Sequence, residues 1–292
     1  MPELPEVETV KRGLLELIVG KTVASAGAID SPKSFPNSPS DVEQFLCGAT
    51  IVTVRRRAKV LMVDLSTEYT LVIHLKMTGQ LVYRGEQNFG AGHPSDSLIG
   101  RLPDRSTRAS IEFTDGSHLF FNDQRKFGWV KLFPTIEVPN IDFMKKVGPE
   151  PLEADFTPEI FTARIRRRNG TTVKAAILDQ TVLAGVGNIY ADESLWGAKI
   201  HPATRVNAVT DDELAVLCEE IKYVMNLSIE KGGSTDRNYV NAEGKRGSYI
   251  DFARVFRQEG QPCPRHTAVV IEKIRVAGRG THVCPVCQTF ID

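Results

Sequence analysis

The amino terminus, Met1-Pro2-Glu3-Leu4-Pro5-Glu6-Val7-Glu8-Thr9-Val10, supports two interpretations, one structural and one chemical. In the structural one, the prolines stiffen the entry to a helix, because apolar residues recur at helical spacing from Val7 to Ile18 and Gly20 then ends the pattern. The segment is too short and too acidic to be a signal peptide. The spacing therefore predicts an amino-terminal helix.

The chemical interpretation starts from Pro2, a small second residue that normally lets a cell remove Met1. Removal would expose a secondary amine beside the carboxyl groups of Glu3 and Glu6. An α-amino group titrates near ~7.7–8, so part of it is unprotonated and nucleophilic at neutral pH. A lysine would need desolvation or a neighbouring cation to reach that state. Because secondary amines attack carbonyl-like carbons to give iminium adducts, the segment also predicts an amine nucleophile with a carboxyl group that moves protons.

The longer string MPELPEVETVKRGL, residues 1–14, resembles the amino terminus of the bacterial formamidopyrimidine-DNA glycosylases, which remove oxidised purines from DNA. The resemblance extends from Met1 to Cys287 through five motifs in the family's order. It implies a bifunctional glycosylase and lyase, in which the Pro2 nitrogen attacks the sugar C1′ and Glu3 moves protons during base loss and ring opening. Elimination of phosphate on both sides would leave a one-nucleotide gap. Glu6 is expected to organise the pocket through the helix start and through water.

Composition and charge are those of a globular protein large enough for two domains. The chain has 292 residues, of which 41% are hydrophobic and 25% are charged. Its formal net charge is zero, which argues mildly against a nucleic-acid binder. Basic residues nevertheless cluster at 55–57, 164–168 and 273–279, and a neutral chain can present one basic face. No apolar run is as long as a membrane span, and without a signal peptide the expected compartment is the cytoplasm.

The order of strand and helix patterns predicts an α+β fold. Seven short strands follow the first helix and indicate an antiparallel β-sandwich or barrel, of which the sandwich is our prediction: 49–57, 60–66, 70–77, 80–83, 108–113, 118–122 and 129–133. Prolines near residue 150 mark a linker, and helical patterns follow at 158–168, 173–178, 189–196 and 211–231. The last helix opens with a capping-box pattern formed by Thr210 and Glu213.

Three regions are predicted. Residues 1–147 form an amino-terminal catalytic β-sandwich domain, 152–250 a helix-two-turn-helix DNA-binding domain, and 252–292 a zinc-finger hairpin. The string QTVLAGVGNIYADESLWGAKIHP, residues 180–202, resembles the helix-two-turn-helix of the same family, in which the asparagine matching Asn188 binds DNA phosphate. The Gly-, Pro- and Ser-rich run 85–105 is predicted to be a long loop and has no assigned role.

Five motif residues of the sandwich domain are expected at DNA. Lys59 alone would be an ordinary hairpin lysine, but in the family the matching lysine contacts the phosphate beside the lesion and assists catalysis. The HLxMxG motif supplies His74, near phosphate, and Met77, and the D-x-R-x-F-G motif supplies Arg125 and Phe127. A base removed from the stack leaves a hole that apolar wedges such as Met77 and Phe127 can fill. Arg125 can then hydrogen-bond the orphaned cytosine.

The substrate class is inferred from the segment 231–241. By resemblance this segment is the loop that closes over the flipped base, where backbone amides and Ser234 read the oxidised purine. Arg237 and Tyr239 match the family's loop residues. Because this loop separates the purine-directed branch from its pyrimidine-directed relatives, a glycosylase for oxidised pyrimidines is the first alternative. A DNA-damage-binding protein without turnover is the second.

Three of the five cysteines lie in the last thirty residues and indicate a metal site rather than disulfides. Cys263 with His266, and Cys284 with Cys287, form two close pairs, a spacing typical of a tetrahedral structural zinc site. The family normally uses four cysteines with sixteen residues between the pairs, whereas here the second ligand is a histidine and the gap is seventeen. His282 is a rival fourth ligand, and a metal-free tail is the other alternative.

A strand pair at 269–276 would complete a zinc-ribbon hairpin between the ligand pairs. The string Gly278-Arg279-Gly280-Thr281-His282 matches the family's GRGTH motif, whose arginine holds phosphate on both sides of the flipped nucleotide, so Arg279 is a further expected DNA contact. The tail alone would suggest a zinc-ribbon transcription or RNA-binding factor. The whole chain instead predicts a monomer that holds one structural Zn²⁺ and binds double-stranded DNA containing oxidised purines.

Overall fold

The chain forms two compact units. The structure, a computed structural model, describes residues 2–93, 95–233 and 249–291. The first unit runs from the amino terminus to Lys145 and takes in residues 231–233, and the second contains Lys146–Glu230 and the chain from Tyr249 onward. The three domain boundaries given above stay predictions. Within the described residues, no helix has both the length and the hydropathy that crossing a membrane requires.

The first unit is an antiparallel β-sandwich with an amino-terminal helix. Its helices are α1 (Leu4–Ile18), α2 (Pro39–Phe45) and α3 (Asp142–Lys146). Its strands are β1 (Val23–Ala28), β2 (Ile51–Arg57), β3 (Val60–Leu65), β4 (Tyr69–His74), β5 (Gly79–Arg84), β6 (Asn88–Gly92), β7 (Thr107–Phe113), β8 (His118–Asp123) and β9 (Trp129–Pro134). One sheet has the order β1-β7-β8-β5-β6 and the other the order β2-β3-β4-β9. The predicted α+β class is confirmed.

Apolar side chains from both sheets and from α1 share one core. The predicted helical stripe of α1 is fully buried at Val7, Val10, Leu14 and Ile18. This stripe packs α1 against β2 and β6, so the amino terminus is held on the sandwich by apolar burial.

The run 85–105 is not one long loop, and that prediction was wrong for residues 88–92. These residues form β6, which pairs with β5 at the edge of its sheet. Phe89 is buried against Gly13 of α1, where an added Cβ would come within 2.3 Å of the ring. Gly92 approaches the Gly79 carbonyl so closely that a Cβ would be 2.5 Å from that oxygen. Glycine serves close packing here, which composition alone does not distinguish from a turn.

Two connections cross between the sheets at the same end of the sandwich. Residues 75–78 join β4 to β5, and residues 124–128 join β8 to β9; we call them the crossing loops. They are neighbours because β5 pairs with β8 and β4 pairs with β9, with Gly79 opposite Asp123 and His74 opposite Trp129. The strand predicted to reach residue 77 therefore ends three residues earlier, and the HLxMxG methionine lies in a loop.

The second unit is helical and ends in a two-stranded hairpin. The four predicted helices are present as α4 (Pro158–Ile165), α5 (Val173–Leu178), α6 (Asn188–Gly197) and α7 (Asp211–Glu230), followed by β10 (Glu272–Val276) and β11 (Arg279–Val283). The predicted capping box opens α7: the Thr210 N–H donates to Glu213 Oε2 at 2.8 Å, and the Glu213 N–H donates to Thr210 Oγ1 at 3.2 Å. The hairpin lies further along the chain than 269–276, so Arg279 begins its second strand.

Candidate functional site

The start of α1 is buried together with two carboxyl groups. Pro2 is buried, and Glu3 and Glu6 are only 3% and 5% exposed. The Glu3 backbone N–H donates to Glu6 Oε2 at 2.7 Å. This hydrogen bond ties the residue that follows Pro2 to the first turn of the helix. The three candidate catalytic residues of the amino terminus therefore share one enclosed position.

The segment predicted to cover the lesion begins beside this position. Gly233 has a φ of 94° and lies against Glu6, since an added Cβ would be 3.4 Å from Glu6 Cγ. Ser234, Arg237 and Tyr239 follow it and lie outside the described residues. Their roles in reading the lesion stay predictions.

Lys59 is 7% exposed, although a hairpin lysine is ordinarily solvated. It lies in the turn between β2 and β3 beside Ala58, whose φ of 51° is left-handed. Arg56 holds this turn against α1, because its Nη1 donates to Ala58 O and its Nε to Glu8 Oε2, both at 3.0 Å. Burial opposes ionisation of Glu8, but Arg56 and Lys11 outweigh it and lower the pKa of the carboxyl. Lys59 is thus linked to the helix that carries the candidate nucleophile.

His74 is buried, and its neighbours determine its protonation. Its Nδ1 accepts a hydrogen bond from the Lys76 backbone N–H at 3.1 Å, so the proton of the neutral ring is on Nε2. Burial and the charges of Lys76 and Lys59 lower the pKa of His74 to about 3. The pairing of His74 with Val60 brings it beside the turn that carries Lys59. A neutral ring donor next to a lysine is suited to binding an anion.

The crossing loops expose the side chains that were predicted to enter DNA. Met77 is 38% exposed and Phe127 is 55% exposed. The Arg125 guanidinium lies over the Phe127 ring, 4.9 Å from its centroid, as in a cation–π contact. The structure thus brings Met77, Arg125 and Phe127 onto two adjacent loops at one end of the sandwich.

In the second unit, a hydrogen bond connects the two candidate phosphate contacts. Asn188 is the first residue of α6, and its Nδ2 donates to Gly280 O at 3.0 Å. Arg279 is exposed and directly precedes Gly280 in β11. The backbone of Arg279 is therefore held at the start of α6.

A buried ion pair that the sequence analysis missed holds the same strand. Lys174 of α5 and Asp192 of α6 are fully buried, and Lys174 Nζ lies 2.6 Å from both Asp192 Oδ1 and Thr281 Oγ1. Asp192 Oδ2 accepts from the His282 backbone N–H at 2.9 Å and lies 3.0 Å from His282 Nδ1. The sequence contains one signal for this ion pair. Lys174 and Asp192 lie at positions where their short helices face the core, and charged residues are rarely buried unless they are paired.

Cys263, His266, Cys284 and Cys287 bring their ligand atoms within 4.8 Å of one another. The Cys263 and Cys287 sulfurs are 3.6 Å apart, and His266 Nδ1 is 3.0 Å from Cys287 Sγ. Zinc–sulfur bonds of about 2.3 Å in a tetrahedron would put sulfurs roughly 3.8 Å apart. The cluster fits one structural zinc ion, as predicted. It contains His266, whereas His282 is engaged with Asp192.

The chemistry of these four donors also fits a metal ion. Burial opposes ionisation of Cys263, but the backbone N–H groups of Arg265 and His266 outweigh it and lower the pKa of the thiol to about 6. Burial and the adjacent Cys284 and Cys263 sulfurs raise the pKa of Cys287 to about 12. Neighbouring thiolates repel one another, and the charge of Zn²⁺ offsets that repulsion. Since four protein ligands complete a tetrahedron, such an ion stabilises the hairpin rather than binding substrate.

Three family models match the chain. Residues 1–130 match the formamidopyrimidine-DNA glycosylase N-terminal domain, and residues 147–239 match the formamidopyrimidine-DNA glycosylase H2TH domain. Residues 269–289 match a zinc finger found in FPG and IleRS. The third match includes Cys284 and Cys287 and begins after the first pair of ligands.

Relatives and solved structures match over nearly the whole chain. The formamidopyrimidine-DNA glycosylase of Pediococcus pentosaceus is 42% identical over 290 residues, which is 99% of this chain and 100% of that protein. A complex of Lactococcus lactis Fpg with DNA containing an abasic site has a TM-score of 0.86 at 34% identity, covering 98% of this chain and 99% of that one. A structure of MutM with DNA containing carbocyclic 8-oxo-G has a TM-score of 0.85 at 34% identity, and the match covers 99% of this chain and 100% of that one. The resemblance inferred from the motifs is confirmed: this chain belongs to the formamidopyrimidine-DNA glycosylase family.

Proposed function

We propose that this glycosylase is bifunctional: it removes oxidised purines, namely 8-oxoguanine and formamidopyrimidines, from double-stranded DNA and then cleaves the abasic site by β,δ-elimination. The observation that carries the proposal is the buried start of α1, where Pro2 is followed by the enclosed carboxyl groups of Glu3 and Glu6. Burying carboxyl groups costs folding free energy. A capping box can form at the surface without that cost, as Thr210 and Glu213 show at α7, so the burial of both carboxyl groups supports a further role beside Pro2.

Pro2, once Met1 is removed, supplies the nucleophile. Its nitrogen lone pair forms a bond to the sugar C1′ while the electrons of the glycosidic bond leave with the base, which takes up a proton. Glu3 then takes the N–H proton of the adduct and delivers it to O4′, so the nitrogen lone pair forms the C1′=N bond as the C1′–O4′ bond breaks, and a C1′ iminium ion results. The iminium ion acidifies C2′–H; loss of that proton breaks the C3′–O bond and releases one phosphate, and a second elimination releases the other. Water hydrolyses the remaining adduct and restores Pro2.

Four side chains are proposed to hold the DNA backbone. Lys59 and His74 contact the phosphate beside the lesion, which is supported by their adjacency and by the Nε2–H that the Lys76 hydrogen bond leaves as the donor of His74. Asn188 and Arg279 bind phosphate from the second unit, which is supported by the hydrogen bond from Asn188 to Gly280. Because the net charge of the chain is zero, these local contacts rather than overall charge would provide the salt-dependent part of the affinity.

Three side chains of the crossing loops are proposed to replace the flipped base. Met77 and Phe127 fill the hole in the stack, and Arg125 hydrogen-bonds the orphaned cytosine. Their exposure on adjacent loops supports this assignment, because exposed apolar side chains at a loop tip can enter a duplex without rearrangement of the core.

The purine class is supported by the relatives. The Pediococcus pentosaceus relative is named for formamidopyrimidines, and the MutM complex contains an 8-oxo-G analogue. The same assignment implies a DNA-associated enzyme of the cytoplasm whose zinc ion has no part in the reaction.

Borohydride trapping tests the proposal on a duplex with 8-oxoguanine opposite cytosine, beside a dihydrouracil duplex and an undamaged one. The expected result is a covalent adduct on the first duplex that maps to the Pro2 peptide. Trapping on dihydrouracil alone would assign the protein to the pyrimidine-directed relatives. Binding without an adduct on either damaged duplex would identify a damage-binding protein without turnover.

A further inference from the structure

Asp123 is a fully buried residue that the mechanism above does not use. It ends β8, at the point where the second crossing loop begins. Its Oδ2 accepts a hydrogen bond from the Gly128 N–H at 2.6 Å, and its Oδ1 accepts one from the Arg125 N–H at 3.1 Å. Its Oδ1 also accepts the hydroxyl proton of Thr78. The first two contacts close the second crossing loop on its own start, and the third reaches the first crossing loop.

Thr78 completes this connection from the side of the first crossing loop. Its hydroxyl donates to Asp123 and accepts from the Arg125 N–H at 3.0 Å. Because a hydroxyl carries one donor and two acceptor lone pairs, both kinds of hydrogen bond can be made at once. The Arg125 N–H is therefore held both by Thr78 of the first crossing loop and by Asp123 at the end of β8. These contacts involve none of the Met77, Arg125 or Phe127 side chains, which are left to contact a ligand.

Each crossing loop has a lysine in the left-handed region of φ. Lys76 has a φ of 51° and Lys126 a φ of 58°, which residues with a side chain rarely adopt. Gly128 leaves no room for a side chain, since an added Cβ would be 2.7 Å from the Phe121 ring and 3.1 Å from Asp123 Oδ2. Strained backbone of this kind persists only where surrounding contacts over-determine it, and such positions cluster at functional sites. The Asp123 carboxyl group provides contacts of that kind.

The backbone of Asp123 is in turn fixed to the sheet. Its N–H donates to Ser106 O at 2.8 Å, and its carbonyl accepts from Arg108 Nε at 2.8 Å. Arg108 Nη1 and Lys126 Nζ both form ion pairs with Asp30 Oδ2, at 3.1 Å and 3.2 Å. Asp123 therefore connects the end of β8 to both crossing loops.

We propose that Asp123 and Thr78 are positioning residues for base extrusion: they clamp the crossing loops together so that Met77 and Phe127 enter the duplex as one wedge. The inference rests on the proposed function, because it requires these side chains to enter DNA. Asp123 is fully buried, so it acts through the loops that it holds, and Thr78 acts with it through their shared hydrogen bonds. Their effect on rate follows from geometry, since a displacement of about 1 Å can cost about 100-fold in a catalysed reaction.

The pair Thr78→Val and Thr78→Ser separates the hydroxyl from the shape of the side chain. Valine keeps the size and removes the hydroxyl, whereas serine keeps the hydroxyl. Thr67→Val is the matched control, because Thr67 lies in the turn before β4, at the end of that strand away from the crossing loops, and the variant also loses a hydroxyl hydrogen bond, from Oγ1 to Phe45 O at 2.6 Å. All variants are full-length chains.

Two measurements report the clamp. The first is the single-turnover rate of 8-oxoguanine excision opposite cytosine. The second is the fluorescence of 2-aminopurine placed beside that cytosine in a duplex with an uncleavable abasic analogue, recorded at saturating protein. The fluorescence rises when a wedge unstacks the probe, and a loss of fold stability alone would not change it at saturation.

Thr78→Val is expected to lower the excision rate about tenfold and to remove more than half of the fluorescence rise, while Thr78→Ser and Thr67→Val stay within about twofold of the parent. Asp123→Asn, which replaces one acceptor by a donor, should act in the same direction and more strongly. Equal behaviour of Thr78→Val and Thr78→Ser in both measurements would overturn the proposal.

The parent protein separates failure of the clamp from failure of the proposed function. A parent that neither excises 8-oxoguanine nor raises the fluorescence contradicts the proposed function, and the clamp falls with it. A parent that does both, with Thr78→Val unchanged from it, contradicts the clamp alone.

Discussion

The helices α1 and α7 begin with the same hydrogen bond, from a backbone N–H to a glutamate one turn later, but in different surroundings. In α7 the bond joins Thr210 to Glu213 at the surface, and the Thr210 hydroxyl caps the helix in return. In α1 it joins Glu3 to Glu6, both buried, and the capping position holds a glutamate rather than a favoured Ser, Thr, Asp or Asn. Both starts form a capping box, but the one at α7 is exposed to solvent, whereas the one at α1 also keeps carboxyl groups enclosed beside Pro2.

The largest expected difference between the two helix starts is in activity. Glu3→Gln should lower 8-oxoguanine excision about 1,000-fold, because a general acid–base group typically contributes about 10²–10⁴-fold. The free energy of unfolding should change by less than about 1 kcal/mol, since glutamine keeps the size of the side chain. Single-turnover kinetics and urea unfolding measure the two effects. Glu213→Gln is the matched control at α7 and should leave excision unchanged. An equal loss of activity in both variants would contradict the distinction between the two helix starts.

Removing zinc tests whether the chemistry at α1 is independent of the hairpin in the second unit. A chelator, or Cys284→Ala, should unfold the hairpin and displace Arg279. Charge-assisted hydrogen bonds contribute about 1.5–3 kcal/mol each, so DNA affinity should fall roughly 100-fold. Fluorescence anisotropy measures the affinity, and trapping at Pro2 should persist at saturating DNA.

Cys47→Ala is the control for the zinc experiment, because Cys47 is half-buried in the first unit and lies outside the ligand cluster. It should bind DNA like the parent. Unchanged affinity of the metal-free protein would show that Arg279 keeps its position without zinc.

Local patterns in the sequence predicted much of the fold and of the site. The Thr210–Glu213 capping box, the α1 stripe and the paired zinc ligands depend on residues close in the chain, so spacing was enough to find them. The alternation of apolar and polar residues also predicted seven strands, and all seven are present. The family match then indicated which exposed residues to consider at DNA.

Features that depend on distant partners could not be predicted from spacing. The strand β6 is stabilised by Phe89 packing on Gly13, across many intervening residues, and its glycines indicated a loop. Lys59 was expected to be solvated on its own spacing, yet Arg56 and α1 enclose its turn. Asp123 is the first residue of the D-x-R-x-F-G motif, but spacing assigned it no role, because its partner Thr78 belongs to another loop.

Acid should weaken the unit that contains α1, because His74 is buried in its neutral form. The folded pKa is about 3, against about 6.5 in an unfolded chain, so the unfolded state binds a proton that the folded state excludes. The stabilisation is complete above about pH 6.5 and is lost as the pH falls toward 3, with a slope of at most about 1.4 kcal/mol per pH unit. Urea unfolding between pH 7 and pH 4 measures this slope. His74→Gln should flatten it, and an unchanged slope would assign the acid sensitivity to other groups.

The smallest effect is expected at the start of α7. Thr210→Ala removes the hydroxyl that accepts the Glu213 N–H at 3.2 Å and donates to Glu213 Oε2 at 2.9 Å. Loss of a cap typically costs about 1 kcal/mol, so the free energy of unfolding should fall by that amount, and Thr210→Ser should restore it. Excision of 8-oxoguanine should be unchanged, because the cap acts only on the helix. A fall in excision beyond that explained by stability would mean that α7 also takes part in the reaction, and the contrast with α1 would then lie in degree rather than in kind.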